Sequence, residues 1–296
     1  MARAAKAAHI RDKGMAMTFD MTFDRRITPA RPDLAAAFLK GKVEAARFVE
    51  GRRAMVARGR AGLHARPDAQ APLVSELLFG ELVTIYDSAD GWSWVQAGSD
   101  DYVGYVRDGA LGAAVSPAMR VPVLLAPVFS GPDLKTPVRD LLPMNAHVSQ
   151  RAAQGDYIEA EPDGFVHRRH LAPLDWREDD FVAVAERFLG VPYVWGGKTF
   201  AGLDCSGLVQ TALAATGVFA PRDTDMMESS LGHAITLQDA RRGDLVFWKG
   251  HMGVVLDGAR LLHANAFHMQ VAIEPLAGAL ARIEKTAGPV TAVKRL

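Results

Sequence analysis

The sequence predicts an α+β protein built in series, with two small β-barrels followed by a domain of helices plus an antiparallel sheet. Three observations carry this. Short β-type runs punctuated by Gly, Asp and Pro begin near Arg52, and their order repeats further along the chain. After "LDWRED" the texture changes to helical spacing and then back to strands. A length of 296 residues also suits two or three cores better than one.

Residues 1 to about 50 read as a mobile start followed by "DLAAAFLKGKVEAARFVEG", whose alanines and leucines predict one or two short helices. From 51 to 113 come "RAMVA", "ELVTIYD", "GWSWVQAG" and "DYVGYVRDGAL", the strands of a first barrel. The order returns over 114 to 175 at an offset of about 64 residues. "LHARPD" corresponds to "VFSGPD", "ELLFGE" to "DLLPMN", "GWSWVQA" to "GDYIEAE", and "VGYVRDGAL" to "DGFVHRRHLAP". Two copies of a five- or six-stranded barrel explain recurrence of both order and spacing.

The last segment, 176 to 296, starts with "DDFVAVAERFLG", apolar at helical spacing and stopped by Gly190. A second helix is expected from an N-cap at Asp204 through "CSGLVQTALAATG" to Gly217. "DLVFWKG", "HMGVVLDGARLLHANA" and "VAIEPL" then supply strands, which makes this an α+β domain.

Composition narrows the function. Lys plus Arg equals Asp plus Glu at 34 each, and no basic run breaks the balance, so nucleic acid and anionic membranes are not expected partners. Hydrophobic residues at 49% fit an ordinary globular chain. The longest apolar run, "VPVLLAPVF", holds two prolines and is too short to span a bilayer. The N-terminus has no apolar core of signal-peptide length, and Met15, Met17 and Met21 offer alternative starts. A cytoplasmic monomer is expected. The single cysteine allows no internal disulfide.

That cysteine, Cys205, falls at the first position of its helix, where unpaired N–H groups and the helix dipole favour a thiolate and are expected to lower its pKa. Glycines at 196, 197, 202 and 207 leave the sulfur uncovered. A thiolate nucleophile needs a base, and the base an orienter. His251 and His263 lie in two runs flanking "DGA" at 257 to 259, a hairpin signal. A three-residue loop there sets Gly253 opposite His263 and places both imidazoles on one face; a two-residue loop sets them on opposite faces. Zinc on one Cys and two His would lack a fourth ligand with motif spacing, so no metal or other cofactor is expected.

"PYVWGG", "DCSGLVQ", "GDLVFW", "HMGVVLD" and "LLHANA", in that order, resemble the NlpC-type papain-like cysteine peptidases that cut bacterial cell-wall peptides. The resemblance implies a papain-like catalytic domain with Cys205 as nucleophile, His251 as base and His263 as orienter. It also implies that Tyr193 stands near the thiolate and helps hold the reacting oxyanion. The tandem barrels resemble bacterial SH3-like domains, a combination similar to the dipeptidyl-peptidase subgroup acting on the γ-D-glutamyl–diamino-acid bond of murein peptides. That subgroup implies a first barrel closing the cleft, so that only a free N-terminal L-Ala fits. Asp204 and Ser206, with Glu81 and Tyr102 of the first barrel, would bind the alanine ammonium. After "PRDTD" the resemblance implies a glutamine where this chain has Met227, a departure that bears on substrate contacts in that loop. An amidase or acyltransferase on the same scaffold, and a non-catalytic wall-binding protein, are the alternative readings.

Overall fold

Residues 23–160 and 164–296 are described by the computed structural model. The mobile start expected over the first residues lies outside them. In the remainder of the N-terminal segment the expected helices do not form. Ala35–Ala36 pairs in parallel with Phe48–Val49, and only a 3-10 turn, Ala37–Leu39, lies between. Leu34, Ala35 and Ala36 are fully buried, so tertiary burial overrides the helical propensity of this Ala-rich run.

Seven strands between Arg52 and Gly112 form one sheet in the order Leu73–Leu78, Arg60–His64, Val103–Arg107, Trp92–Ala97, Leu82–Ala89, Arg52–Val56, Leu111–Gly112. Leu63, Leu77, Val95 and Val106 fill its core. The outer strands do not pair with each other, so this sheet stays open where a barrel was expected. Further on, strands divide between two sheets. Five run in the order Val138–Pro143, Leu125–Phe129, Gly164–His167, Tyr157–Ala160, Ala152–Gln154, and three in the order His147–Val148, Met119–Arg120, Ala172–Pro173. One local sequence of elements does recur. Val103–Arg107 leads into the 3-10 turn Asp108–Ala110 and the short strand Leu111–Gly112, as Gly164–His167 leads into Arg168–His170 and Ala172–Pro173.

These two β-units are locked together. Phe79 of the first enters the core of the second beside Val121, Val128 and Leu142. The turn that delivers it needs Gly80, whose φ is +79° and where a Cβ would lie 2.0 Å from the carbonyl oxygen of His147.

The C-terminal domain places helices on both faces of a six-stranded sheet. Its order is His233–Ala234, Ala292–Arg295, Leu245–Trp248, His251–Asp257, Arg260–Asn265, Gln270–Pro275. "LVFW" is apolar throughout because alternate residues serve different cores. Leu245 and Phe247 pack with helix α2 (Cys205–Ala215), and Val246 and Trp248 with helix α4 (Leu276–Ala287). Helix α1 (Phe181–Glu186) is capped by Asp180, whose carboxylate accepts from the N–H groups of Val182 and Ala183. The sequence reading anticipated α1 and α2 but not α4 or the short α3 (Thr224–Ser230).

The first β-unit is docked on the C-terminal domain through a buried carboxylate. Glu76 Oε2 accepts from the Lys198 N–H at 2.9 Å and the Thr199 hydroxyl at 3.0 Å, while Oε1 meets Arg60. Beside it, Gly196 (φ +78°) passes so close to Leu73 that a Cβ would sit 2.6 Å from the Leu73 carbonyl oxygen. Glu76→Ala leaves a buried N–H without an acceptor and should lower the unfolding free energy by about 1–3 kcal/mol. Urea unfolding checks this; an unchanged midpoint and slope would show that the docking does not depend on Glu76.

Candidate active site

Helix α2 begins at Cys205 because Asp204 adopts an extended conformation and caps it, its Oδ1 accepting from the Gly207 N–H at 2.7 Å. The sulfur is buried, with Thr224 Oγ1 at 3.8 Å and the backbone N–H of Met252 as a donor. The helix start is as expected, but the thiol is not acidified. Burial, and then the Asp204 carboxylate, push the Cys205 thiol up to about 11. The sequence reading counted the helix dipole and could not count the desolvation.

Met252 follows His251, so the strand that donates to the sulfur also presents the first imidazole. His251 Nε2 lies 2.9 Å from His263 Nδ1, and His263 Nε2 lies 2.7 Å from Glu274 Oε1. Glu274 is held in turn by Arg282. A carboxylate only accepts, so His263 carries its proton on Nε2, accepts on Nδ1, and obliges His251 to donate from Nε2. The lone pair of His251 is thereby left on Nδ1. Burial, with Arg282 adding, pushes His251 down to about 4, and burial together with His251 depresses His263 further. Burial thus favours a neutral thiol on Cys205 and a neutral imidazole on His251 in the free protein.

The two histidines meet by a different route from the one expected. The hairpin loop has two residues, closed by Asp257 opposite Arg260. A bulge between Val255 and Asp257 then shifts the register, giving Val255 opposite Leu261 and Val254 opposite Leu262. One step further along that register Gly253 faces His263. The bulge restores the facing that the short loop alone would have lost.

A cavity of about 350 Å³ opens onto the thiol, lined by Tyr193, Trp195, Asp204, Ser206, Tyr102 and Asp223 among others. Of the residues singled out from sequence, Cys205, Tyr193, Asp204, Ser206 and Tyr102 thus share one cavity. Burial, with Cys205 and then Asp204 adding, raises the Tyr193 phenol above its ordinary pKa, so it stays a hydrogen-bond donor.

Glu81 is not there. It lines a separate cavity of about 340 Å³ with Lys198 and Gln210, and its carboxylate accepts from the Leu78 N–H and the Ser99 hydroxyl. Asp204 is present but fully engaged. Its two oxygens accept from Gly196 N, Gly207 N, Ser206 Oγ and both terminal nitrogens of Arg222, at 2.7 to 3.2 Å. Arg222 is 1% exposed; burial opposes its charge, and Asp204 outweighs that and holds the guanidinium protonated.

The acid with spare capacity is Asp223, which the sequence reading passed over. Its Oδ2 accepts from the Tyr102 hydroxyl at 2.9 Å and from Arg26 at 2.8 Å, and its side chain makes no cap bond to α3. No hydrogen bond reaches its Oδ1 among the described residues. "PRDTD" was visible as a string, but nothing local marked Arg222 as buried or Asp223 as lining the cleft. Met227 is fully buried in the domain core and does not line the cavity.

Among the described residues the one group of three potential metal ligands is His263, His268 and Glu274, which excludes Cys205. Its ligand atoms are already committed: His263 to His251 and Glu274, Glu274 to Arg282, and His268 Nδ1 to Asn265 Oδ1 at 3.0 Å.

A buried thiol at a helix start, bonded by the N–H of Met252 next to His251, whose ring is linked to His263 and Glu274, has the parts of a papain-like cysteine peptidase site. Comparison with known proteins agrees: residues 190–286 match the NlpC/P60 family, and residues 63–111 match the bacterial dipeptidyl-peptidase SH3 domain. Over residues 190–286 the C-terminal domain is similar to the NlpC/P60 family. The chain is 27% identical over 241 residues to dipeptidyl-peptidase 6 of Lysinibacillus sphaericus, covering 73% of this chain and 89% of that protein. It is 32% identical over 111 residues to the gamma-D-glutamyl-L-lysine dipeptidyl-peptidase of Bacillus subtilis, 34% of this chain and 37% of that one. An NlpC/P60 family protein from Bacillus cereus superposes with a TM-score of 0.69 over 82% of this chain and 99% of its own, at 18% identity, and shares the fold. No helix among the described residues is long and apolar enough to cross a membrane.

The neutral resting pair has a kinetic signature. Alkylation follows the thiolate, so the rate of Cys205 with iodoacetamide in the free protein should keep climbing through neutrality toward the thiol's pKa of about 11. A plateau already reached between about pH 5 and 8 would show instead a preformed thiolate–imidazolium pair.

Proposed function

We propose that this protein is a cysteine endopeptidase that hydrolyses the γ-D-Glu–diamino-acid bond of murein peptides carrying a free N-terminal L-Ala, in peptidoglycan turnover or recycling. One observation carries the reading. The first β-unit walls the same cavity that holds the thiol, placing Tyr102 against Asp223, with Asp225 beside it, so carboxylates line that end. On this reading the first unit is residues 51–113, a second SH3-like unit spans 114–175, and the peptidase domain is 176–296. The recurrence of strand, 3-10 turn and short strand at the end of both β-units supports the duplication.

In this mechanism His251 Nδ1 takes the Cys205 proton as sulfur attacks the γ-glutamyl carbonyl. The oxyanion is met by the Cys205 N–H at the start of α2 and by the Tyr193 hydroxyl. His251 passes its proton to the departing amine of the diamino acid, leaving a thioester that water then cleaves with the same imidazole as base. His263 keeps the ring oriented, anchored by Glu274.

The ammonium of L-Ala is met by the free Oδ1 of Asp223 and the Tyr102 oxygen, with Ser206 near the same wall. Asp204, saturated by Arg222 and two backbone N–H groups, shapes the pocket and does not receive the amine. A buried ammonium is costly unless paired, so the site accepts a charged amine and rejects an acylated one.

Steady-state kinetics on L-Ala-γ-D-Glu-diaminopimelate and on its N-acetyl derivative test the reading. The free peptide should be preferred by about a thousandfold, as expected where buried polar groups lose their partner. Asp223→Asn should erase most of that preference, and Cys205→Ser should abolish cleavage of both peptides. Equal rates on the two peptides, or cleavage of intact cross-linked wall, would assign the protein as a general wall hydrolase.

A further inference from the structure

The cleft holds a cation that the proposed mechanism does not use. Arg26 lies before the first β-unit, on a stretch bound to two of that unit's inner strands, Trp92–Ala97 and Val103–Arg107. Its carbonyl accepts from the Val103 N–H at 2.7 Å, the next carbonyl, of Ile27, accepts from Gln96 Nε2 at 3.0 Å, and Ile27 packs on the unit's core. From there the guanidinium crosses to the C-terminal domain. Nη1 donates to Asp223 Oδ2 and Asp225 Oδ1, both at 2.8 Å, and Nη2 donates to Asp225 Oδ2 at 2.7 Å. Asp24, on its own strap, takes Nε and shares Nη2.

We infer that Arg26 is the positioning residue for amine recognition: it braces Asp223 and forms the end wall that stops the cleft beyond the substrate's first residue. The inference rests on the functional reading above. Two features support it. Three carboxylates surround one guanidinium, so the wall keeps a negative surplus and still attracts an ammonium while containing a cation itself. Arg26 and Tyr102 also converge on the same oxygen of Asp223, which fixes the carboxylate plane and leaves Oδ1 as the oxygen open to substrate. A planar five-donor fork can bridge three acids in this way, and an ammonium cannot reproduce that geometry.

The test compares the full-length protein with Arg26→Ala and Arg26→Lys on L-Ala-γ-D-Glu-diaminopimelate and its N-acetyl derivative. In Arg26→Ala the loss on the free peptide should fall on KM, by about tenfold, and the preference over the N-acetyl peptide should shrink by at least about tenfold. Arg26→Lys should recover part of that preference, which a merely misfolded site would not do. The iodoacetamide rate of Cys205, at its wild-type value in both variants, reports that the nucleophile is undisturbed. If the wild type discriminates and Arg26→Ala discriminates equally well, the inference is overturned and the functional reading stands. If the wild type itself fails to discriminate, the functional reading falls and this inference falls with it.

Discussion

The Asp204–Arg222 ion pair holds the site together. It is bidentate, with contacts of 3.0 and 2.7 Å, and its guanidinium is almost wholly removed from water. From that pair hydrogen bonds run to the loop at Gly196, to the start of α2 through Gly207, to Ser206, and through Arg222 Nε to Ser75 of the first β-unit. Losing either partner would strand a buried charge, at about 3–5 kcal/mol. Because the same carboxylate caps the helix of Cys205 and organises the glycine loop, the position of Cys205 depends on this pair, and through Arg222 and Ser75 the pair adds a contact to the docking made by Glu76.

That dependence explains the electrostatics of the site. The Asp204 charge sits beside the sulfur and helps to raise its pKa, in opposition to the helix start. Arg222 neutralises Asp204 and is itself spent in doing so. The next acid outward, Asp223, is held by Tyr102 and Arg26, and on the proposed reading it is the group that meets the charge of the substrate. The first β-unit therefore contributes more than proximity. Glu76 fixes the Lys198–Thr199 strand, Tyr102 donates to Asp223, and Arg26 on the strap before the unit bridges Asp223 and Asp225 at the cavity wall.

What could be read from the sequence was what is encoded locally. "DCSGLVQ" carries a cap, a helix start and a nucleophile within a few residues, and α2 begins where those signals put it. The pairing of His251 with His263 was legible through strand alternation, although it is a bulge, and not loop length, that sets the register. Long-range partners were not legible. Arg26 reaches Asp225 across 199 residues and Arg222 reaches Ser75 across 147, and in the sequence each reads as an ordinary surface charge. Glu81 shows the same limit from the other side, since its place in a β-unit gives no sign of which cavity it faces. The thiol's pKa was misjudged for want of burial, and the Ala-rich N-terminal run for want of the partners that bury it.

The most direct measurement of the central claim is a crystal structure of the Cys205→Ser protein with L-Ala-γ-D-Glu-diaminopimelate bound. The account predicts the γ-glutamyl carbonyl carbon beside residue 205, its oxygen toward Tyr193, and the alanine ammonium within hydrogen-bond reach of Asp223 Oδ1 and Tyr102. The chain should go no further, with Arg26 still bridging Asp223 and Asp225. A peptide that runs past a displaced Arg26, or an ammonium seated on Asp204, would contradict it.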